Sequence, residues 1–390
     1  MAPGWGSLIV LALTGVALLS VAAAFANVGR RFDQDGGPVV YARAAFGDFP
    51  AFLVGWIAYV SALASTTATT SGLTAAVAPS LGLGAGWPTR LAAVALVTML
   101  ALVCAAGLKL SARVWTTLTI LKLLPLLALA AAFAFAGFPV VTAPGPATAV
   151  SFTWFRAGLL ATFAFQGFEI APIIAGQVRA SAQAIPVALY GSLALVSGFY
   201  IVLQAACVAS LPGLASSTAP LADAAAVLGG SSLRGLLVLG TSVSALGISF
   251  GMVAMTPRYL AVLAAGRRAL PFGFERLSDK AVPLRALFLT WLLVSLLLSA
   301  GGSLSEFFAL SGMTVLMQYG VTALALVFLA RQGKHGLTVR DAWPAFPVLL
   351  VTLALVSGAA GRELKLAAGA IALGLLLRHF GRERGLAVQS

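Results

Sequence analysis

Long apolar stretches, joined by short polar connectors, follow one another along almost the whole chain. Each is close to the ~20 residues that an α-helix needs to cross a bilayer core about 30 Å thick, and each is too long for a β-strand. The pattern predicts an all-α polytopic membrane protein with eleven transmembrane helices. We place the spans at 7–27, 50–78, 91–107, 114–136, 156–177, 187–210, 235–257, 284–300, 306–330, 345–360 and 364–380.

The composition excludes a protein made of ordinary water-soluble domains. Hydrophobic residues make up 60% of the 390 residues and charged residues 9%, far below the roughly 25% of soluble proteins. The mean hydropathy is +1.01. The connectors are too short to hold a further domain, so we expect a single transmembrane domain over residues 1–390. A net charge of +13 in such a chain indicates cytoplasmic connectors beside membrane lipid, and not a nucleic-acid partner.

Basic residues concentrate on one side when the connectors are assigned alternately to the two sides of a membrane. Eighteen of the 24 Lys and Arg residues lie on one side and five on the other, with Lys122 inside a span. Basic residues near helix ends are retained in the cytoplasm, so the richer side, with the C-terminus, is predicted to be cytoplasmic and Met1 external. The eighteen are Arg30, Arg31, Arg43, Lys109, Arg113, Arg179, Arg258, Arg267, Arg268, Arg276, Lys280, Arg285, Arg331, Lys334, Arg340, Arg378, Arg382 and Arg384.

Two ionisable residues are expected near the middle of the bilayer. Lys122 lies roughly 13 Å along its helix from Arg113, and Glu169 lies roughly 15 Å before Arg179. For Lys122, one interpretation is a charge facing the bundle interior, and the other is a side chain that snorkels to the headgroups. For Glu169, the choice is between a proton or gating group and a carboxylate that satisfies amides at a break in the helix.

The stretch FAFQGFEIAPIIAGQVRASAQAIP, residues 163–186, places Gln166, Gly167, Glu169 and Pro172 inside a span. Gly and Pro weaken the hydrogen bonds within a helix. A helix interrupted at mid-depth frees carbonyl and amide groups that can hold a charged ligand, and such breaks mark substrate sites. A simple proline kink is the other interpretation.

Hydroxyl side chains crowd two other spans. The first set is Ser61, Ser65, Thr66, Thr67, Thr69, Thr70 and Ser71, and the second is Thr241, Ser242, Ser244 and Ser249. Small hydroxyl residues in membranes mostly serve close helix packing, and a minority contact a substrate. Paired acids, a nucleophile with its base and a metal-ligand cluster are missing from the sequence, so an enzyme, a cofactor and a metal site are not expected.

Four segments, in order along the chain, carry a family resemblance. They are GGPVVYARAAFGDFPAFLVGW at 36–56, LTILKLLPLL at 118–127, the GFE-containing stretch at 163–186, and TPRYLAVLAAGRRALPFGFERLSDKAVPLRALFL at 256–289. They resemble four parts of the amino acid–polyamine–organocation superfamily of permeases. These are the connection between the second and third helices, the fifth helix with its embedded lysine, the broken sixth helix, and the cytoplasmic connection after the eighth.

The resemblance implies an inverted-repeat fold of two five-helix repeats followed by two accessory helices. On this basis the first repeat covers 7–136, the second 152–331 and the accessory pair 343–380. Relatives have twelve helices, and this chain begins at the position of their second. The external Met1 that follows from the charge count is what the absence of one leading helix would produce.

The resemblance also implies site residues. The segment of Phe163, Ala164, Phe165, Gln166 and Gly167 resembles the one whose carbonyl groups accept a substrate ammonium, with Phe163 as an aromatic gate. Lys122 resembles the lysine that stands where sodium-coupled relatives hold an ion and that bonds hydroxyls of the eighth helix, here Ser244 or Ser249. Glu169 matches the family's glutamate after glycine. Ser61, Thr66 and Thr69 lie near positions that line the substrate side chain, and the absence of an acid among them disfavours a strongly cationic substrate.

The expected function is secondary active transport of amino acids or related amines by alternating access, as a proton-coupled symporter or an exchanger. A truncated or degenerate permease without transport activity and a non-transporting membrane scaffold are the alternatives. We expect an integral protein of a bacterial inner membrane, with the small-molecule substrate and protons as its partners.

Overall fold

The computed structural model describes residues 4–137, 154–217, 219–265, 273–302 and 304–387, and this part of the chain is helical without a strand. Arg267, Arg268 and most of the connector 137–150 lie outside the described residues. The α-helices are α1 Gly6–Gly29, α2 Pro38–Phe46, α3 Asp48–Val77, α4 Trp87–Ala105, α5 Leu108–Phe135, α6 Trp154–Phe165, α7 Ser181–Ser210, α8 Pro220–Ala265, α9 Leu284–Ala300, α10 Leu304–Arg331, α11 Ala345–Ser357 and α12 Gly361–Ala387.

The described helices confirm an all-α polytopic membrane protein. Nine helical stretches of this part of the chain are long and apolar enough to cross a membrane, and α9 is a shorter apolar helix of 17 residues. Length and apolar character appear together because each backbone amide in a bilayer must bond within its own helix. The count of eleven spans and the inverted repeat stay predictions.

Some boundaries differ from the predicted spans. The short helix α2 was not predicted, because its nine residues lie in a connector whose polar flanks gave no membrane signal. The span predicted at 235–257 is the middle of a much longer helix, α8, which begins at Pro220 and changes direction at Gly229 and Gly230. Gly230 has a φ of +70°, a conformation that a residue without a Cβ adopts at little cost.

Helix α12 runs along the bundle between its two ends. Close to its start, Glu363 pairs with Arg156 of α6 at 2.6 Å. Close to its other end, the guanidinium of Arg378 donates to the carbonyl of Asp48 at 3.0 Å. These two contacts are roughly 22 Å apart along the helix axis. Helix α12 therefore covers most of the bilayer thickness that the span predicted at 364–380 has to cross.

The buried apolar side chains form two large clusters. One joins α1, α7, α10 and α11, and the other joins α3, α4, α8 and α9. Helix α1 packs on α7, α3 on α8 and α4 on α9. Each of these pairs links helices at corresponding places in the two predicted repeats. The space between the two clusters contains the polar residues described below.

Glycines on α8 let α5 approach it closely. A Cβ on Gly251 would lie 2.6 Å from the ring of Trp115, and a Cβ on Gly240 would overlap the ring of Pro125. Small residues at a helix interface allow the two backbones to approach, which is a common way of packing helices in membranes. This close packing fixes α5, and with it Lys122, against α8.

We predict that Gly240→Ala destabilises the protein by about 1–3 kcal/mol, because its methyl group has no room beside Pro125. The matched control is Gly235→Ala on the same helix, where nothing lies within 4 Å of an added Cβ. That change should be neutral or stabilise by up to ~1 kcal/mol through helix propensity. Thermal unfolding of the two purified variants in detergent measures the difference, and equal melting temperatures would contradict the proposed close packing.

Candidate functional site

The helix is broken where the sequence predicts an interruption. Helix α6 ends at Phe165, and a 3-10 helix follows from Phe168 to Gln177. Gly167 between them has a φ of +119°, which strains any residue that carries a Cβ. Pro172 lies within the 3-10 helix, after the break, so the interruption is made at the glycine and is not a proline kink.

Glu169 is buried beside this break, at 6% exposure. Its Oε2 accepts hydrogen bonds from the amide of Gly167 at 2.9 Å and from the hydroxyl of Tyr319 at 3.4 Å. The carboxylate thus satisfies an amide that the start of the 3-10 helix leaves without a helical partner. This is the structural role foreseen for Glu169, and its role as a proton or gating group stays a prediction.

Carbonyl groups at the end of α6 have lost their helical partners. The carbonyl of Phe163 accepts from the amide of Gln166 at 3.3 Å, and that of Ala164 accepts from the hydroxyl of Tyr200 at 3.0 Å. The carbonyls of Phe165 and Gln166 accept no hydrogen bond from the described part of the chain. The break therefore leaves acceptors available for a donor such as an ammonium group.

A cavity of about 350 Å³ opens at the interruption. It lies between the two apolar clusters and is lined from α3, α5, α6, the 3-10 helix, α7, α8 and α10. The predicted site residues that line it are Ser61, Thr69, Lys122, Phe163, Ala164, Phe165, Gln166, Gly167 and Glu169. Residues from three separate predicted spans are thus brought together. Their roles in binding or coupling remain predictions.

Lys122 enters the cavity from α5. Its side chain is half-buried, and it makes no hydrogen bond or ion pair with any described residue. Placement in the wall of this cavity is what the interior-facing interpretation expects, and the role of this lysine stays a prediction. Ile248 and Met252 of α8 line the same cavity.

A chain of polar contacts forms another wall. The hydroxyl of Ser65 lies 2.6 Å from that of Ser311, which donates to Oε1 of Gln166 at 2.9 Å. Ser61 donates to the carbonyl of Ser311 at 3.2 Å. These bonds join α3 and α10 to the end of α6, and they leave the buried Nε2 of Gln166 without a partner. A donor is therefore held in place at the cavity wall.

Three of the predicted residues do not line the cavity. The hydroxyl of Thr66 is fully buried and bonds the carbonyl of Ala62 at 2.7 Å and the hydroxyl of Thr256 at 3.1 Å, so it packs α3 on α8. Ser249 is also fully buried and its Oγ has no partner, while Ser244 is half-buried. Neither serine bonds Lys122 among the described contacts. The described contacts therefore contain no bridge from Lys122 to these serines of α8.

Sequence reasoning missed several residues of the wall. The most distinctive is Gln318 of α10, an amide that is 3% exposed, lines the cavity and makes no hydrogen bond with the described residues. A lone amide within an apolar span was a signal that the sequence offered. The other polar lining residues outside the predicted site are Ser192, Tyr200, Tyr259 and Ser65, of which only Ser65 was noted, among the hydroxyls of its span. Within the described residues, no three His, Cys, Asp or Glu side chains are grouped as metal ligands.

The aromatic gate was predicted at Phe163. Its ring lies 4.4 Å from that of Phe308, centroid to centroid, with the two planes at 51°. A pair of rings from α6 and α10 therefore stands beside the cavity lining. The gating role of this pair is not established by its position.

Comparison with known proteins identifies the family. Residues 2–360 match the family model described as amino acid permease. An uncharacterized transporter of Mycobacterium tuberculosis is 30% identical over 343 residues, which is 85% of this chain and 75% of the relative. An uncharacterized transporter of Mycobacterium bovis matches to the same extent.

Another relative has a named activity. The serine/threonine exchanger SteT of Bacillus subtilis is 27% identical over 359 residues, which is 86% of this chain and 78% of the relative. A family model that covers nearly the whole chain, together with these relatives, points to a transporter and not to an enzyme. The chain belongs to the amino acid permease family, within the amino acid–polyamine–organocation superfamily that its sequence resembles.

Proposed function

We propose that this chain is a secondary active transporter of amino acids or related amines, which works by alternating access around the cavity at Gly167. The observation that carries the proposal is the meeting of free carbonyls, at the end of α6, with the ammonium of Lys122 in one cavity between the helices. A zwitterion needs acceptors for its ammonium group and a positive charge for its carboxylate. The cavity offers both.

The charge of Lys122 supports proton coupling or exchange in preference to sodium coupling. Its ammonium carries the same sign of charge as Na⁺ and occupies the space beside the break. A cation placed there repels a second cation in a medium of low dielectric constant. Small amine-bearing substrates and protons are thus the proposed partners.

A substrate with a neutral side chain suits the cavity best. Glu169 is the one acid among the lining residues of the described chain, and its Oε2 is already engaged by Gly167 and Tyr319. Hydroxyl and amide groups form the polar wall. Serine and threonine, which the name of the Bacillus relative mentions, are therefore the first substrates to test.

The proposed setting is a bacterial inner membrane with the C-terminus in the cytoplasm. The excess of basic residues at one end of the bundle supports this orientation. We refer below to that end of the bundle, which includes Arg30, Arg31, Arg258 and Lys334, as the basic end.

We predict that Lys122→Ala abolishes uptake and exchange, down to the level of liposomes without protein, because the cavity loses its positive charge. Lys109→Ala is the matched control, since Lys109 is an exposed lysine in the first turn of the same helix. It should transport like the original protein. The measurement is uptake of radiolabelled serine, threonine and alanine into proteoliposomes, with thermal unfolding to show that both variants fold. Normal uptake by Lys122→Ala would remove this lysine from the mechanism.

Glu169→Gln separates the two roles of this residue. A glutamine can still accept from Gly167 and Tyr319, so the break should keep its geometry and the melting temperature should change by less than about 4 °C. Proton-coupled uptake should lose its dependence on external pH, whereas exchange of internal for external substrate should continue. Uptake measured across a pH series tests this, and an unchanged pH profile would show that Glu169 carries no transported proton.

Gln318→Leu tests the polar wall. Loss of one hydrogen bond to a substrate hydroxyl should reduce the preference for serine over alanine by about tenfold, or ~1.4 kcal/mol. Alanine transport itself should persist, because that substrate has no side-chain hydroxyl to lose. Competition between the two substrates in proteoliposomes measures the ratio, and an unaltered ratio would place Gln318 outside the substrate contacts.

A further inference from the structure

The connection between α1 and α2 is bonded to the far end of the 3-10 helix. Asp35 accepts at Oδ1 from the amide of Gly176 at 2.8 Å, and at Oδ2 from Nε2 of Gln177 at 2.5 Å. The amide of Gly36 donates to the carbonyl of Ile173 at 2.9 Å. Three hydrogen bonds therefore fasten this connection to the last part of the 3-10 helix, from Ile173 to Gln177.

Arg258 of α8 holds Gln177 from the other side. Its Nη1 donates to Oε1 of Gln177 at 3.3 Å, and its Nη2 donates to the carbonyl of Ala281 at 3.2 Å. A carboxylate only accepts and a guanidinium only donates, so the two partners fix which way the amide of Gln177 points. One amide thus bridges an acid and a base that belong to different elements.

The contact is tight at its centre and accessible at its edge. Arg258 is buried, at 7% exposure, and a Cβ on Gly176 would lie 3.1 Å from Oδ1 of Asp35. Gln177 itself is exposed and Asp35 is half-buried. Hydrogen bonds at an exposed edge open more easily than those of a core, which suits an element that must separate and close again.

Gln177 lies on the same 3-10 helix as part of the cavity lining. Phe168, Glu169 and Ile170 line the cavity at the start of this helix, and Gln177 ends it. At about 2.0 Å per residue, Glu169 and Gln177 are roughly 16 Å apart along the axis. This segment, which contains Pro172 and departs from helical geometry at Ile174, therefore connects the cavity to the basic end of the bundle.

We propose that Asp35, Gln177 and Arg258 form a latch, which holds the 3-10 helix against α8 and keeps the cavity closed toward the basic end. Opening the cavity to that end requires the 3-10 helix to leave α8, so the bridge through Gln177 must break. The three are positioning residues that act on the 3-10 helix and do not touch the substrate. The role of the latch in a transport cycle rests on the proposed function. Its effect on access to the cavity is independent of that function.

Labelling of a cysteine in the cavity tests the latch. The reporter is Met252→Cys, an apolar lining position outside the polar contacts, in membrane vesicles of both orientations. A membrane-impermeant maleimide is added without substrate. Lys334→Cys, an exposed position at the basic end, identifies the vesicles that present this end to the reagent. The protein without the reporter cysteine gives the background from Cys104 and Cys207, which are both buried.

Asp35→Ala and Gln177→Ala should each increase labelling from the basic end by at least about fivefold, and should decrease it from the opposite end, because the population shifts toward one open state. The matched control is Asp33→Ala. It removes the same charge from an exposed residue of the same connection whose side chain makes no described hydrogen bond. The reporter cysteine of Asp33→Ala should be labelled as strongly as that of the protein with an unaltered latch.

Two results would overturn the latch. The first is labelling of both alanine variants at the level of Asp33→Ala. The second is an equal increase from the two ends, which indicates general loosening of the bundle. Where Asp35→Ala does not fold, Asp35→Asn replaces it, since it keeps an acceptor for Gly176 but not the second one for Gln177. Directional labelling together with failed amino acid uptake would retain the latch and refute the proposed transport.

Discussion

The requirement that backbone amides and carbonyls find partners inside a membrane governs this structure. A continuous helix meets that requirement by itself, and the long helices of this chain do so. Between Phe165 and Phe168 the helix is broken, and its polar groups must be satisfied by other means. Glu169 supplies an acceptor for the amide of Gly167, and Tyr200 supplies a donor for the carbonyl of Ala164. The carbonyls that remain without a partner are available to accept a hydrogen bond from a ligand.

The surrounding helices hold the break in place by two kinds of contact. Glycines of α8 let α5 come close, as at Gly251 beside Trp115, and this brings Lys122 into the cavity wall. On the other side, Ser65 and Ser311 connect α3 and α10 to Gln166. Apolar packing therefore positions the charge, and hydrogen bonds position the amide. Neither contact involves neighbours in sequence.

The 3-10 helix joins the cavity to the basic end of the bundle. Its first residues lie against the cavity and its last residue lies between Asp35 and Arg258. The segment begins at Gly167 beside the cavity and is held at its other end by hydrogen bonds, so a displacement at one end can reach the other. The fold thus connects the cavity lining to the proposed latch through one short segment of the chain.

The class of protein, the positions of most helices and the site of the break can be predicted from the amino-acid sequence alone. Bilayer thickness fixes the length of each apolar run, and a glycine with a nearby acid inside such a run is a local signal. Which hydroxyls face the cavity depends instead on how the helices pack against one another. Thr66 packs on α8 while Ser65 reaches Ser311, although the two are adjacent in sequence. The rotation of each helix about its axis and the choice of its packing partners are set by contacts among distant segments. The sequence of a single helix does not reveal these contacts.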